Sequence, residues 1–172
     1  MNSTIFRYGI YATLIMLTIG VIGFIVLSNS SFAIQEIAGY LSILLAMIFV
    51  FLGIRHFRDK VNGGTLSFGQ GLKIGVLIVL IPAVAFGLFD ILYTEVINPG
   101  WKETYYTQYI EGLKTTVAAD KLDAAIKKAE KEKEMFANPV MQFLLMSATV
   151  FIIGFIVTII ASLSLRRAKS IA

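Results

Sequence analysis

An all-α, multi-pass membrane protein with four transmembrane helices, and an extramembrane helical hairpin between the third and the fourth, is the fold class this sequence predicts. Three observations carry it. Of 172 residues, 57% are hydrophobic and only 15% charged, with a mean hydropathy of +0.79; a soluble domain holds about 25% charged residues. Four stretches, Ile10–Leu27, Ile37–Ile54, Ile74–Ile97 and Val140–Leu165, are almost free of charge, and about 20 such residues cross a hydrocarbon core of roughly 30 Å. The remaining polar residues are gathered between the stretches, whereas a soluble helix carries them along its outer face. Helices follow because lipid offers no partner to an unpaired backbone group.

The transmembrane helices are placed at about 8–28, 37–55, 72–97 and 139–165, with a helical insert at 101–137, all within a single membrane domain, 1–172. Arg7 precedes the first span, and Ser31-Phe32-Ala33 has the small-x-small form of a signal cleavage site. An apolar run of 18 residues exceeds the roughly 7–15 of a signal peptide, so the span is expected to be retained.

The second and third spans are joined by a polar connection containing Arg58, Asp59, Asn62, Gly63, Gly64 and Ser67. Asn62-Gly63-Gly64 predicts a turn. Ser67 followed by Gln70 reads as a capping box that starts the third helix near Phe68. The glycines match neither a dinucleotide fingerprint nor a Walker loop, so turn formation and close helix approach are expected rather than phosphate binding. Gly71 and Gly75 form a GxxxG at the helix end, a weak association signal beside Lys73.

In the insert, Asp120 and Asp123 read as an N-cap with an acid at N3, ahead of Leu122, Ala125, Ile126 and Ala129 at helical spacing. Tyr105, Tyr106, Tyr109, Ile110, Leu113 and Val117 predict an aromatic-rich helix before it. Trp101 and the tyrosines suit an interfacial belt. Pro139 suits the first turn of the fourth span.

The two termini and the connection between spans two and three share one side, with eight cations (Arg7, Arg55, Arg58, Lys60, Lys73, Arg166, Arg167 and Lys169) close to helix ends. The loop Ser28–Glu36 has none, and the seven lysines of Asn98–Asn138 are interleaved with seven acids. The positive-inside rule then puts both termini in the cytoplasm. The net charge of +4 is accounted for by orientation, and no nucleic-acid partner is expected.

The third span holds the residue that needs an explanation. On a wheel of about 100° per residue, Gly75, Ala83 and Gly87 span a small-residue arc that also contains Asp90 and Thr94. Small residues mark where membrane helices approach one another, so Asp90 is expected to face the bundle interior. An ionised Asp at mid-helix costs about 2.5–3.5 kcal/mol to insert, and a proton, a cation or water must offset that. Two readings follow: a proton or cation site, or a packing role through an interhelical hydrogen bond or a snorkelling contact near the interface, with a tyrosine hydroxyl as one partner. The candidate site is therefore Asp90 with Gly87, Ala83 and Thr94. Gln142 is the only strongly polar side chain of the fourth span, while Glu36 and Glu95 fall at the outer boundary and are expected to be solvated.

There are no cysteines and one histidine, His56, expected to be solvent-exposed beside Arg55 and Arg58. No nucleophile–base set or metal-ligand spacing occurs, so no catalytic residue, metal or cofactor is expected and the chain is not read as an enzyme.

The runs Gly39-Tyr40-Leu41-Ser42, Phe51-Leu52-Gly53-Ile54-Arg55 and Arg58-Asp59-Lys60-Val61-Asn62-Gly63-Gly64-Thr65-Leu66-Ser67-Phe68-Gly69, with the later Glu134-Met135-Phe136-Ala137-Asn138-Pro139 and Leu165-Arg166-Arg167, resemble the DUF4199 family of bacterial membrane proteins. The resemblance covers essentially the whole chain. It implies four membrane helices, a charged helical insert before the last, and no assigned activity or site residue.

The expected function is that of a small, multi-pass protein of a bacterial inner membrane, acting by interaction or by organising a membrane complex. Its expected partners are the lipid bilayer and either a second copy or another membrane protein. The alternative is an oligomeric proton- or cation-coupled transporter or channel using Asp90.

Overall fold

The computed structural model describes residues 1–27 and 30–167. Ser28 and Asn29, at the end of the first expected span, and Lys169 of the basic tail lie outside the described residues. The helices are α1 (Asn2–Val26), α2 (Phe32–Ala46), α3 (Ile48–His56), α4 (Phe68–Leu92), α5 (Trp101–Thr116), α6 (Ala119–Ala137) and α7 (Pro139–Ser164). Single π turns, Phe57–Val61 and Tyr93–Ile97, extend α3 and α4. Among the described residues, four helical segments are long and apolar enough to cross a membrane: Asn2–Gly23, Ala33–Val61, Phe68–Ile97 and Pro139–Ser164. This is an all-α membrane protein. α1 starts at Asn2, ahead of its apolar stretch. Thr4, near the start of α1, is 2% exposed.

Contacts divide the chain into two compact units, residues 1–86 with 147–172, and residues 87–146. In the first, α1 packs on α2 and α3, and the core is built from Met16, Met47, Val50, Ile54, Ile78 and Val150. Where the surroundings are as apolar as the helices, association rests on close packing rather than on release of water. Glycines make that approach. A Cβ on Gly71 would lie 2.8 Å from Ser162 Oγ, and one on Gly154 would lie 2.5 Å from Val79 Cγ1 and 2.9 Å from Met47 Sδ. Gly75 faces Thr158 and Ile54 in the same way. The GxxxG motif, a weak signal in the sequence, thus lies where α4 and α7 approach closely.

The connection after α3 closes as its residues dictate. Gly63 and Gly64 take φ of +60° and +80°, a left-handed conformation open to glycine. The Asn62 Nδ2 donates to the Thr65 carbonyl at 2.8 Å, and the Gly64 N–H donates to the Arg58 carbonyl at 2.8 Å. Ser67 and Gln70 form the capping box: the Ser67 N–H donates to Gln70 Oε1 at 2.9 Å, and the Gln70 N–H donates to Ser67 Oγ at 3.2 Å. Leu66 and Arg167 then exchange two backbone hydrogen bonds, each 2.9 Å, tying this loop to the residues after α7. His56, expected to be solvent-exposed, is half-buried, with Arg7 Nη2 at 3.1 Å from Nε2 and the Tyr8 ring 5.5 Å away.

In the second unit, α5 and α6 pack as a hairpin, and Lys133 Nζ pairs with Glu103 at 2.6 Å between them. Ala129 is buried at their interface side, with Leu122, Ala125 and Ile126 half-buried. The N-cap of α6 is Ala118 rather than Asp120, which falls in the first turn. An acid there still meets the positive end of the helix dipole.

Candidate functional site

The polar groups of the second unit converge on Gln142. Asn138 sets its position: Asn138 Oδ1 accepts from the backbone N–H groups of Val140 at 2.9 Å and Met141 at 3.2 Å, capping α7 with Pro139 in its first turn. One turn later the Gln142 side chain is 1% exposed. Its Nε2 donates to Asp90 Oδ2 at 2.5 Å and to Thr94 Oγ1 at 2.8 Å. Its Oε1 accepts from Lys102 Nζ at 3.0 Å.

Lys102 and Thr94 make further bonds in turn. An ammonium has three protons to donate. Lys102 directs them at Gln142 Oε1, at the Phe136 carbonyl at 3.2 Å and at Glu95 Oε1. Thr94, buried within the π turn at Tyr93–Ile97, accepts from Gln142 and donates to the Asp90 carbonyl at 3.0 Å. The π turn, a common feature of functional segments, buries Thr94 and leaves Glu95 exposed. Residues from α4, its π turn, α5, the end of α6 and α7 therefore meet in one network.

Of the sequence candidates, Asp90 and Thr94 are brought together. Gly87 and Ala83 are buried on the same helix arc but carry no polar group into the network. Glu95, expected to be solvated, is paired with Lys102. The connection motif of Arg58, Asp59, Asn62, Gly63, Gly64 and Ser67 belongs to the first unit, where it folds and caps its own loop. Arg58 donates to Asp59 at 2.6 and 3.1 Å and to the Leu165 carbonyl at 3.4 Å. Sequence reasoning missed the two central members, Gln142 and Lys102. A lone glutamine in an apolar span was the available signal, because a buried amide needs partners.

A cleft of about 310 Å³ adjoins the network, lined by Thr94, Glu95, Pro99, Lys102, Glu103 and Lys133. Both of the unit's short ion pairs, Lys102 with Glu95 and Lys133 with Glu103, line it. Among the described residues no group of three His, Cys, Asp or Glu side chains is placed to hold a metal ion.

Beside this site the aromatic residues stack into a ladder. Trp101 lies 5.1 Å from Tyr105, which is 6.0 Å from Tyr109, all near parallel, and Tyr106 meets Tyr105 edge-on at 5.2 Å. Burial of Tyr106, with Tyr105 and Glu132 nearby, pushes its phenol from 10.0 up to about 12. Folding therefore favours the neutral phenol. The associated stability is present below pH 10.0, the value of an ordinary tyrosine, and is lost as pH rises towards about 12. Absorbance titration near the phenolate band is expected to show one late-ionising tyrosine that Tyr106→Phe removes, together with part of the alkaline loss of helix signal.

A family model described as Protein of unknown function (DUF4199) matches residues 7–167 of the chain. No curated protein and no solved structure matches it.

Proposed function

We propose that this chain, which belongs to the DUF4199 family, is a non-catalytic membrane-organising protein in which Asp90 anchors the α5–α6 hairpin. The observation that carries the reading is the bond from the 1%-exposed Gln142 to Asp90, with Lys102 of α5 held on the other end of the same amide. An intramembrane carboxylate is by default a functional group. Here its hydrogen-bond partner links it to the first turn of the hairpin and, through the Phe136 carbonyl, to the hairpin's last turn. The anchor fixes the pose of two charged helices, and the hairpin is the element that meets a partner, a second copy or another membrane protein. The distribution of cations supports an orientation with both termini cytoplasmic.

A second reading is favoured by one observation: the cleft reaches Thr94 and Lys102, two members of the network. In it, an oligomer carries protons or cations through Asp90. Labelling with an apolar carbodiimide separates the two, since such reagents attack protonated carboxyls in apolar surroundings. The anchor reading expects no difference in labelling between wild type and Asp90→Asn in lipid vesicles. It also expects equal decay of an imposed pH gradient. Asp90-dependent labelling with Asp90-dependent decay transfers the conclusion to the transport reading.

A further inference from the structure

Charge is divided very unevenly between the two units. Residues 1–86 and 147–172 hold eight Lys and Arg against two acids, Glu36 and Asp59, whereas residues 87–146 hold seven lysines against nine acids. Within the first unit, contacts gather the cations at one end. Arg7 reaches His56 at the end of α3, Arg58 donates to the Leu165 carbonyl, and the Leu66–Arg167 backbone pair holds the residues after α7 against the loop. Three candidate spans end or begin there, at Val61, Phe68 and Ser164.

The only acid of that end is already engaged. Asp59 takes two bonds from Arg58, at 2.6 and 3.1 Å, with Arg55 at 3.6 Å. Lys60, Lys73, Arg166 and Arg167 are exposed, and among the described residues no carboxylate pairs with any of them. The backbone clasp holds like charges together at the level where the spans end, which is where the phosphates of a bilayer lie. Arg166 and Arg167 take part in the clasp only through the Arg167 main chain, so their guanidinium groups remain available.

We propose that this end of the first unit is a docking surface for the headgroups of anionic phospholipids, with Lys60, Lys73, Arg166 and Arg167 meeting the phosphates. Juxtamembrane cations are attracted to an anionic leaflet, each contributing about a fivefold gain in affinity. The proposal does not depend on the role assigned to Asp90.

The test is native mass spectrometry of the full chain, released from detergent containing equal amounts of phosphatidylglycerol and phosphatidylcholine. Wild type is expected to retain phosphatidylglycerol preferentially. K60Q/R166Q/R167Q is expected to weaken that retention roughly 100-fold while leaving phosphatidylcholine retention unchanged, which reports an intact fold. K121Q/K127Q/K128Q, on exposed and charge-balanced positions of α6, is expected to behave as wild type. Equal retention of the two lipids by wild type overturns the proposal, as does a preference that survives K60Q/R166Q/R167Q or one lost equally in the α6 variant. Displacement of phosphatidylglycerol by an equal concentration of inorganic phosphate would also overturn it, by showing a site for the free anion.

Discussion

Gly75→Ala is expected to destabilise the α4–α7 contact by about 1–3 kcal/mol, the usual range for adding a methyl group to a filled core. Intrinsic propensity works the other way, since alanine gains up to about 1 kcal/mol over glycine inside a helix. Packing decides the sign. The added Cβ would run into Thr158 Cγ2, and would sit 2.8 Å from Thr158 Oγ1 and 2.9 Å from Ile54 Cδ1. Isoleucine can swing the end of its side chain aside. Thr158 cannot, because it is β-branched, 0% exposed, and fixed by its own bond to the Gly154 carbonyl at 2.8 Å. Gly75→Leu should be worse still. In a Thr158→Ala background two of the three obstructing atoms are gone, so Gly75→Ala should lose much of its cost there. Denaturing-detergent titration of the four proteins gives the coupling, expected to be at least about 1 kcal/mol. Additive effects would show that α4 and α7 do not meet at this glycine.

The sequence makes the four spans legible because lipid imposes one rule on all of them: every backbone group must be satisfied within the helix. Local signals with fixed geometry were equally readable. The capping box at Ser67 and Gln70, the glycine turn at Gly63 and Gly64, and Pro139 at the start of α7 each involve residues within a few positions of one another. The arc containing Gly75, Ala83 and Gly87 is buried in the structure as its spacing predicts. What stayed hidden was partnership across the chain. Asp90 and Gln142 are 52 positions apart, and Lys102 and Gln142 are 40 apart, so no periodicity relates them. The contact of His56 with Arg7, 49 residues away, is hidden for the same reason. Gly71 and Gly75 were undervalued because a GxxxG beside a lysine says nothing about which helix it faces.

Gln142→Leu is expected to be the most damaging single change in the second unit, costing about 3 kcal/mol or more. Leucine fills a similar volume and suits an apolar helix, so any loss comes from the partners left behind. Asp90 loses its hydrogen-bond donor, Thr94 its second bond, and Lys102 one of three acceptors. An unsatisfied buried polar group costs about 1–3 kcal/mol, and an uncompensated buried charge costs about 3–5 kcal/mol. Asp90→Asn is a much milder change, because its amide oxygen can still accept from Gln142 Nε2. The double variant Asp90→Leu/Gln142→Leu should recover part of the loss, as replacing both members of a buried polar pair leaves nothing unpaired. Limited proteolysis of the α5–α6 hairpin in lipid provides a second readout. An anchor predicts faster cleavage in Gln142→Leu at unchanged rates in Asp90→Asn. Equal protection in all variants would mean that the hairpin keeps its pose without the amide, leaving the aromatic ladder and the Lys133–Glu103 pair to hold it. The ordering Gln142→Leu far above Asp90→Asn is thus the mark of a carboxylate kept for its hydrogen bond, whereas a carboxylate kept for its proton would reverse it in any assay of flux.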